Sequence, residues 1–141
     1  MATTVERKTI REDFSLPAVV ISTASGQPPV LAGQKILAGT VAMLVSGKVR
    51  AAASGVAGSV LLGVAVSTYD ATGAVDLPFD QVYERGAFYL DGLAGDLPTA
   101  ANIGGLVALQ DNCTVKATIV ANDLQVKLLE IKGNQYKVVL V

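Results

Sequence analysis

Residues 39–66 constrain the fold of this chain more than any other segment. They consist of short apolar stretches, rich in valine and alanine, that glycine interrupts every few positions. Because strands alternate with a period of two residues and helices need a period of 3.6, this pattern indicates short β-strands joined by tight turns. The segment has almost no chemically reactive side chain, so it is suited to packing rather than to holding a substrate.

Turn residues predict where the strands end. Ser46 and Gly47 separate two apolar runs and predict a hairpin over 41–51, because glycine supplies the positive φ that a two-residue hairpin turn requires. A second hairpin is predicted at 132–134. The predicted strands are 19–22, 35–38, 41–45, 48–51, 60–67, 81–90, 114–119, 125–132 and 135–141.

Three further segments carry local predictions. The apolar run 60–66 is typical of a central strand that is buried on both faces, and Gly63 inside it indicates a bulge. Residues 69–80 are predicted to form an exposed connection. Pro98 can begin and Gly104 can end a single helical turn within 96–105.

The whole pattern predicts an all-β fold. We expect a compact β-barrel or β-sandwich of short antiparallel strands, with at most one short helical turn. The charge-rich start of the chain differs from the rest, so residues 1–15 are predicted to form an extended N-terminal arm and residues 16–141 a single β domain. A chain of 141 residues is long enough for one core.

Composition argues against several classes of function. Eleven basic and twelve acidic residues give a formal charge of −1 without a basic stripe, so nucleic acid is not an expected partner. Mean hydropathy is high, at +0.49, but no apolar run approaches the roughly 20 residues that span a bilayer, so no membrane is expected either. The N-terminus lacks the apolar region of a secretory signal, which predicts a protein that stays in the cytoplasm where it is made.

The side chains of catalysis and metal binding are scarce. The chain has no histidine and one cysteine, Cys113, which we expect to pack as a small apolar residue. Acidic pairs such as Asp91 with Asp96 could in principle act as acid and base, but aspartate is common in turns. Lys132 lies at a hairpin turn but lacks the flanking residues of a lipoyl or biotinyl carrier. We therefore expect no enzyme activity, no cofactor and no metal.

The order of motifs resembles a known family. The segments that carry the likeness span roughly residues 15–141 and read SLPAVVIST, ILAGTVAMLVSGKVRAAASG, LLGVAVSTYDATGA, YERGAFYL and IGGLVALQDNCTV. In this order they resemble the head decoration, or capsid cement, proteins of tailed bacteriophages. The motifs are mainly turn glycines and apolar positions, so the likeness lies in their order. The segment 119–132 is longer than the family pattern would predict.

The resemblance implies a viral structural protein. Such a protein would bind the outside of an assembled phage capsid, with the major capsid protein as its partner, and would stabilise contacts between capsid subunits. It would also form a homo-oligomer, with a trimer favoured over a dimer. It would be made in the host cytoplasm and end on the exterior of the virion. The alternative is a host-surface or glycan-binding module attached to the head, against which the 5% aromatic content and the lack of tryptophan argue.

Two segments are candidates for contact with the capsid or with another protomer. The apolar tip formed by Leu77, Pro78 and Phe79 lies between two aspartates, although Phe79 could equally fold back onto the β domain. The N-terminal arm could pair with a complementary surface, or it could be a solvated terminus. The charged residues of the arm are Glu6, Arg7, Lys8, Arg11, Glu12 and Asp13.

Overall fold

The computed structural model describes residues 28–65, 67–73, 77–78, 82–83 and 86–140. In this part of the chain almost all regular structure is β, which confirms the predicted fold class. The strands are β1 (Pro29–Val30), β2 (Lys35–Ile36), β3 (Val41–Val45), β4 (Lys48–Ala51), β5 (Val60–Ala65), β6 (Tyr69–Asp70), β7 (Leu77–Pro78), β8 (Val82–Tyr83), β9 (Gly86–Gly92), β10 (Leu106–Leu109), β11 (Thr114–Lys116), β12 (Gln125–Lys132) and β13 (Gln135–Leu140). The predicted single helical turn is a 3-10 turn at Ala100–Asn102.

A closed barrel forms the C-terminal part of the fold, with the strand order β10-β11-β9-β13-β12. Strands β12 and β13 form the predicted hairpin, in which Gly133 has a φ of 63° between the paired residues Lys132 and Gln135. Buried residues alternate with more exposed ones along β13 and along the first half of β12. This alternation places one face of each strand inside the barrel, as a half-buried strand requires.

A six-stranded sheet contains most of the N-terminal strands, in the order β7-β1-β4-β3-β5-β8. Strands β3 and β4 are the predicted hairpin, with φ values of 51° at Ser46 and 77° at Gly47. Positive φ at both positions is the requirement of a type I′ turn, and glycine accepts it without strain. Strands β2 and β6 pair separately as a small two-stranded sheet.

The six-stranded sheet is buried on both faces. Alternate residues of a strand point to opposite sides, so Val41 and Met43 of β3 join the apolar cluster of the barrel, whereas Ala42 lies in a second cluster with Val30 and Ile36. The barrel and the sheet therefore share one apolar core, and β2 lies against the opposite side of the sheet.

Strand β5 differs in part from the prediction. Its second half, which includes Val64, is buried, but Val60 at its start is exposed. The predicted bulge at Gly63 is confirmed, because the pairing with β3 shifts register there and Gly63 has a φ of 150°. An inserted residue bends the strand, and the prediction of burial on both faces is wrong for the first half.

Other differences concern pairing over long distances in the sequence. The segment 69–80, predicted as an exposed connection, contains β6 and β7. Two strand pairs, β1 with β4 and β9 with β11, are parallel rather than antiparallel. The predicted strand 81–90 corresponds to β8 and β9, and the predicted strand at 19–22 lies outside the described residues.

Candidate interaction surface

A buried polar network joins the loop after β4 to the segment after β11. The Lys116 ammonium, at the end of β11, lies 3.1 Å from Asp123 Oδ2 and donates to Ser54 Oγ at 2.9 Å. The Ser54 hydroxyl in turn donates to Asp123 Oδ1 at 2.6 Å. The side chains of Lys116 and Asp123 are only 9% and 0% exposed, so this ion pair is largely removed from water.

Backbone amides complete the coordination of the Asp123 carboxylate. The N–H of Gly55 donates to Oδ1 and the N–H of Val120 donates to Oδ2, both at 2.9 Å. Burial acts to raise the pKa of Asp123, but the hydrogen bonds from Ser54, Val120, Lys116 and Gly55 together hold that pKa below its ordinary value. The carboxylate thus stays ionised and ties three separate segments together.

The hydrogen bonds of this network hold the two loops in place and do not activate a nucleophile. A serine is activated when a neighbouring base accepts its proton. The Lys116 ammonium donates to Ser54 and is paired with Asp123, so it has no free lone pair with which to accept that proton. Asp123 is a weak base because its pKa is lowered. Ser54, Lys116 and Asp123 therefore stabilise the two loops, and we assign them no catalytic role.

The loop that follows β11 is held at both of its ends. Asp123 binds the Val120 amide at one end, and at the other Asp96 accepts from the Thr118 amide at 3.1 Å and from the Thr118 hydroxyl at 3.0 Å. Between these anchors the side chains of Ile119 and Val120 are 39% and 50% exposed. The loop therefore presents two β-branched aliphatic side chains to solvent on a fixed backbone.

This loop and the loop after β4 lie next to each other, because Ser54 and Gly55 both bind Asp123. We call residues 55–58 and 118–122 the apolar loop surface. Most of these residues are exposed, and neither stretch contains a charged residue. The two charges beneath the surface, on Lys116 and Asp123, pair with each other. Exposed apolar surface of this kind is a common mark of an interaction site.

Two of the other exposed aliphatic residues, Leu106 and Leu129, lie on strands of the barrel among charges. Leu106 of β10 pairs in register with Lys127 of β12, and Leu129 of the same strand precedes Glu130. Glu130 and Lys137 also face each other across β12 and β13, with 4.0 Å between Oε2 and Nζ. This face mixes aliphatic and charged side chains, which is ordinary for a solvated strand surface.

The structure describes only some of the residues that were predicted as contacts from the sequence. The charged residues at 6–13 and Phe79 lie outside the described residues. The backbone of Leu77–Pro78 forms β7, which pairs with β1 at one side of the six-stranded sheet. The role of all these candidates in contact stays a prediction.

Neither the apolar loop surface nor its network was predicted from the sequence. A usable signal was present, because no charge occurs in 51–69 or in 117–122. The pairing of the two loops was not readable, since Ser54 and Lys116 lie 62 positions apart. Cys113 does match its prediction, because its side chain is buried.

Within the described ranges, no group of three or more histidine, cysteine or acidic residues is arranged to hold a metal ion. In the same part of the chain, no helix has the length and hydropathy needed to cross a bilayer. No protein-family model, no curated protein and no solved structure matches the chain.

Proposed function

We propose that this chain is a non-enzymatic structural protein of a tailed-bacteriophage virion. It binds the outer surface of the assembled capsid as a homo-oligomer and stabilises the contacts between major capsid protein subunits. The order of motifs along residues 15–141 resembles that of head decoration proteins, and this resemblance is the starting point of the proposal. The structural observations that support it are the all-β fold and the exposed, uncharged apolar loop surface, which is suited to contact between protein chains of a homo-oligomer.

The physical task of such a protein is to add contact area between subunits. A stable interface buries about 800 Å² on each partner. Repetition of a modest contact over a symmetric shell, with each copy touching more than one subunit, gives strong overall retention. A small β domain whose barrel and sheet share one apolar core is suited to this task, because it can bear load without a conformational change.

The test is co-sedimentation with capsids. Purified protein is mixed with expanded heads of the parent phage that lack it, and bound copies are counted per major capsid subunit. We expect saturation at a fixed stoichiometric ratio. Absence of binding to both expanded and unexpanded heads would overturn the proposal, and binding to host-cell glycans instead would favour the head-attached glycan module.

Two variants test the N-terminal arm in the same assay. Deletion of residues 2–13 is expected to weaken retention, because mixed charges on an extended chain can pair with a complementary surface. A matched variant keeps the length of the chain but replaces its six charged residues at 6–13 with serine. If both variants bind like the wild type, the arm takes no part in retention.

A further inference from the structure

We propose that the apolar loop surface is a self-association surface, where residues 55–58 and 118–122 of one copy bind the same loops of a second copy of this chain. The inference assigns the contact between protomers of the proposed homo-oligomer. It therefore rests on the proposed function. The observations that carry it are the lack of charge on both loops, the exposure of Ile119 and Val120, and the buried network beneath them.

The lack of charge is what favours a second copy as the partner. In a symmetric oligomer the residues near the rotation axis meet their own copies. Any charge there would face a charge of the same sign, and like charges in an interface are unfavourable. An uncharged aliphatic surface has no such cost. The same uncharged surface would not attract a charged partner of another kind over a distance, and it has no charges that could pair with those of such a partner.

Of the three charged groups described beside the two loops, two are buried and paired with each other. Asp123 and Lys116 neutralise each other below the surface. Asp96 lies at the border, beyond Thr118, where it accepts both hydrogen bonds from that residue. The barrel face with Leu129 lacks this property, because Lys127 and Glu130 flank that leucine. A like-for-like contact there would bring equal charges together.

Rigidity is the second property that suits association. Binding must offset the entropy of ordering loops and side chains. Here the backbone of Val120 is already fixed by Asp123, and that of Thr118 by Asp96. Valine and isoleucine side chains also have few rotamers to lose. The contact therefore forms with little further ordering of the loop 118–122.

Sedimentation velocity over a concentration series of about 1–100 µM tests the assignment, because association depends on mass action. The variants are Val120→Lys and Ile119→Lys, with Leu129→Lys as the matched control on the barrel face. All three replace an exposed aliphatic side chain with the same cation. Far-UV circular dichroism and thermal melting check that each variant folds like the wild type.

The wild type is expected to sediment above the 14.5 kDa monomer. Val120→Lys and Ile119→Lys should each raise the dissociation constant at least about tenfold, whereas Leu129→Lys should leave it unchanged. A wild type that is monomeric throughout the series would overturn the inference. The inference would also be overturned if the Val120→Lys and Ile119→Lys variants both fold and associate like the wild type. An equal loss of association in the Leu129→Lys control would overturn it as well.

The capsid assay separates this inference from the proposed function. A monomeric wild type that still binds heads at a fixed ratio retains the proposed function and overturns the self-association surface. A wild type that associates through the loops but binds no heads retains the self-association surface and overturns the proposed function.

Discussion

Replacing Asp123 with alanine is expected to cause a large loss of stability. The substitution leaves the Lys116 ammonium buried without its counter-charge, and it removes the acceptor for the Ser54 hydroxyl and for the amides of Gly55 and Val120. Breaking a buried ion pair by removing one partner costs about 3–5 kcal/mol. That is a large fraction of the roughly 5–15 kcal/mol by which a domain is stable.

The opposite substitution, Lys116→Met, is expected to cost less. The carboxylate of Asp123 keeps three donors, which are the Ser54 hydroxyl and the amides of Gly55 and Val120. Methionine also fills much of the space of the lysine stem. The loss is then close to that of one charge-assisted hydrogen bond, about 1.5–3 kcal/mol. The two substitutions differ in cost because Asp123 takes part in more hydrogen bonds than Lys116 does.

Urea unfolding, followed by far-UV circular dichroism, measures both variants. With an m-value of about 2 kcal/mol/M, the midpoint should fall by about 1.5–2.5 M for Asp123→Ala and by about 0.75–1.5 M for Lys116→Met. The control is Glu130→Gln, which removes the exposed pair with Lys137 and should shift the midpoint by less than about 0.5 M. Equal losses for the first two variants would refute the reasoning, since the donors around Asp123 predict unequal ones.

Two further predictions concern pH and packing. Since the folded pKa of Asp123 is lowered, its contribution to stability should be complete above the unfolded pKa, near 4, and should be lost as the pH falls through the folded value. Urea midpoints measured from pH 7 down to pH 2 should therefore fall more steeply in the acid range for the wild type than for Asp123→Ala. Leu128→Ala, at a fully buried position of the barrel, should cost about 2–5 kcal/mol, whereas Leu129→Ala, at the exposed neighbouring position, should cost less than about 1 kcal/mol. Thermal melting checks the second pair, and equal losses would contradict the assigned faces of β12.

The hairpins were predictable because their information is local. Strands β3, β4 and β12 have the predicted bounds, and the turns at Ser46 with Gly47 and at Gly133 have the positive φ that their glycines suggested. The bulge at Gly63 was predictable for the same reason, since a glycine inside an apolar strand often marks a bulge. In each case a few adjacent residues determine the local backbone.

The arrangement of the strands was not predictable in the same way. The choice between barrel and sandwich stayed open because a half-buried strand has the same alternation in both. The structure combines a closed barrel with a six-stranded sheet, and two of its strand pairs are parallel. Parallel pairs join residues that are far apart along the chain, such as Val30 with Val49 or Thr114 with Asp91, and no local pattern marks them.

The apolar loop surface combines both kinds of information. Its lack of charge is local and can be read from the sequence at 51–69 and 117–122. What brings the two stretches together is the buried contact of Ser54 with Asp123, across 69 positions of the chain. A lone aspartate after a turn is too common to indicate such a contact. The buried ion pair of Asp123 with Lys116 fixes the two loops without placing a charge among their exposed side chains. The surface above the pair is therefore both held in place and uncharged.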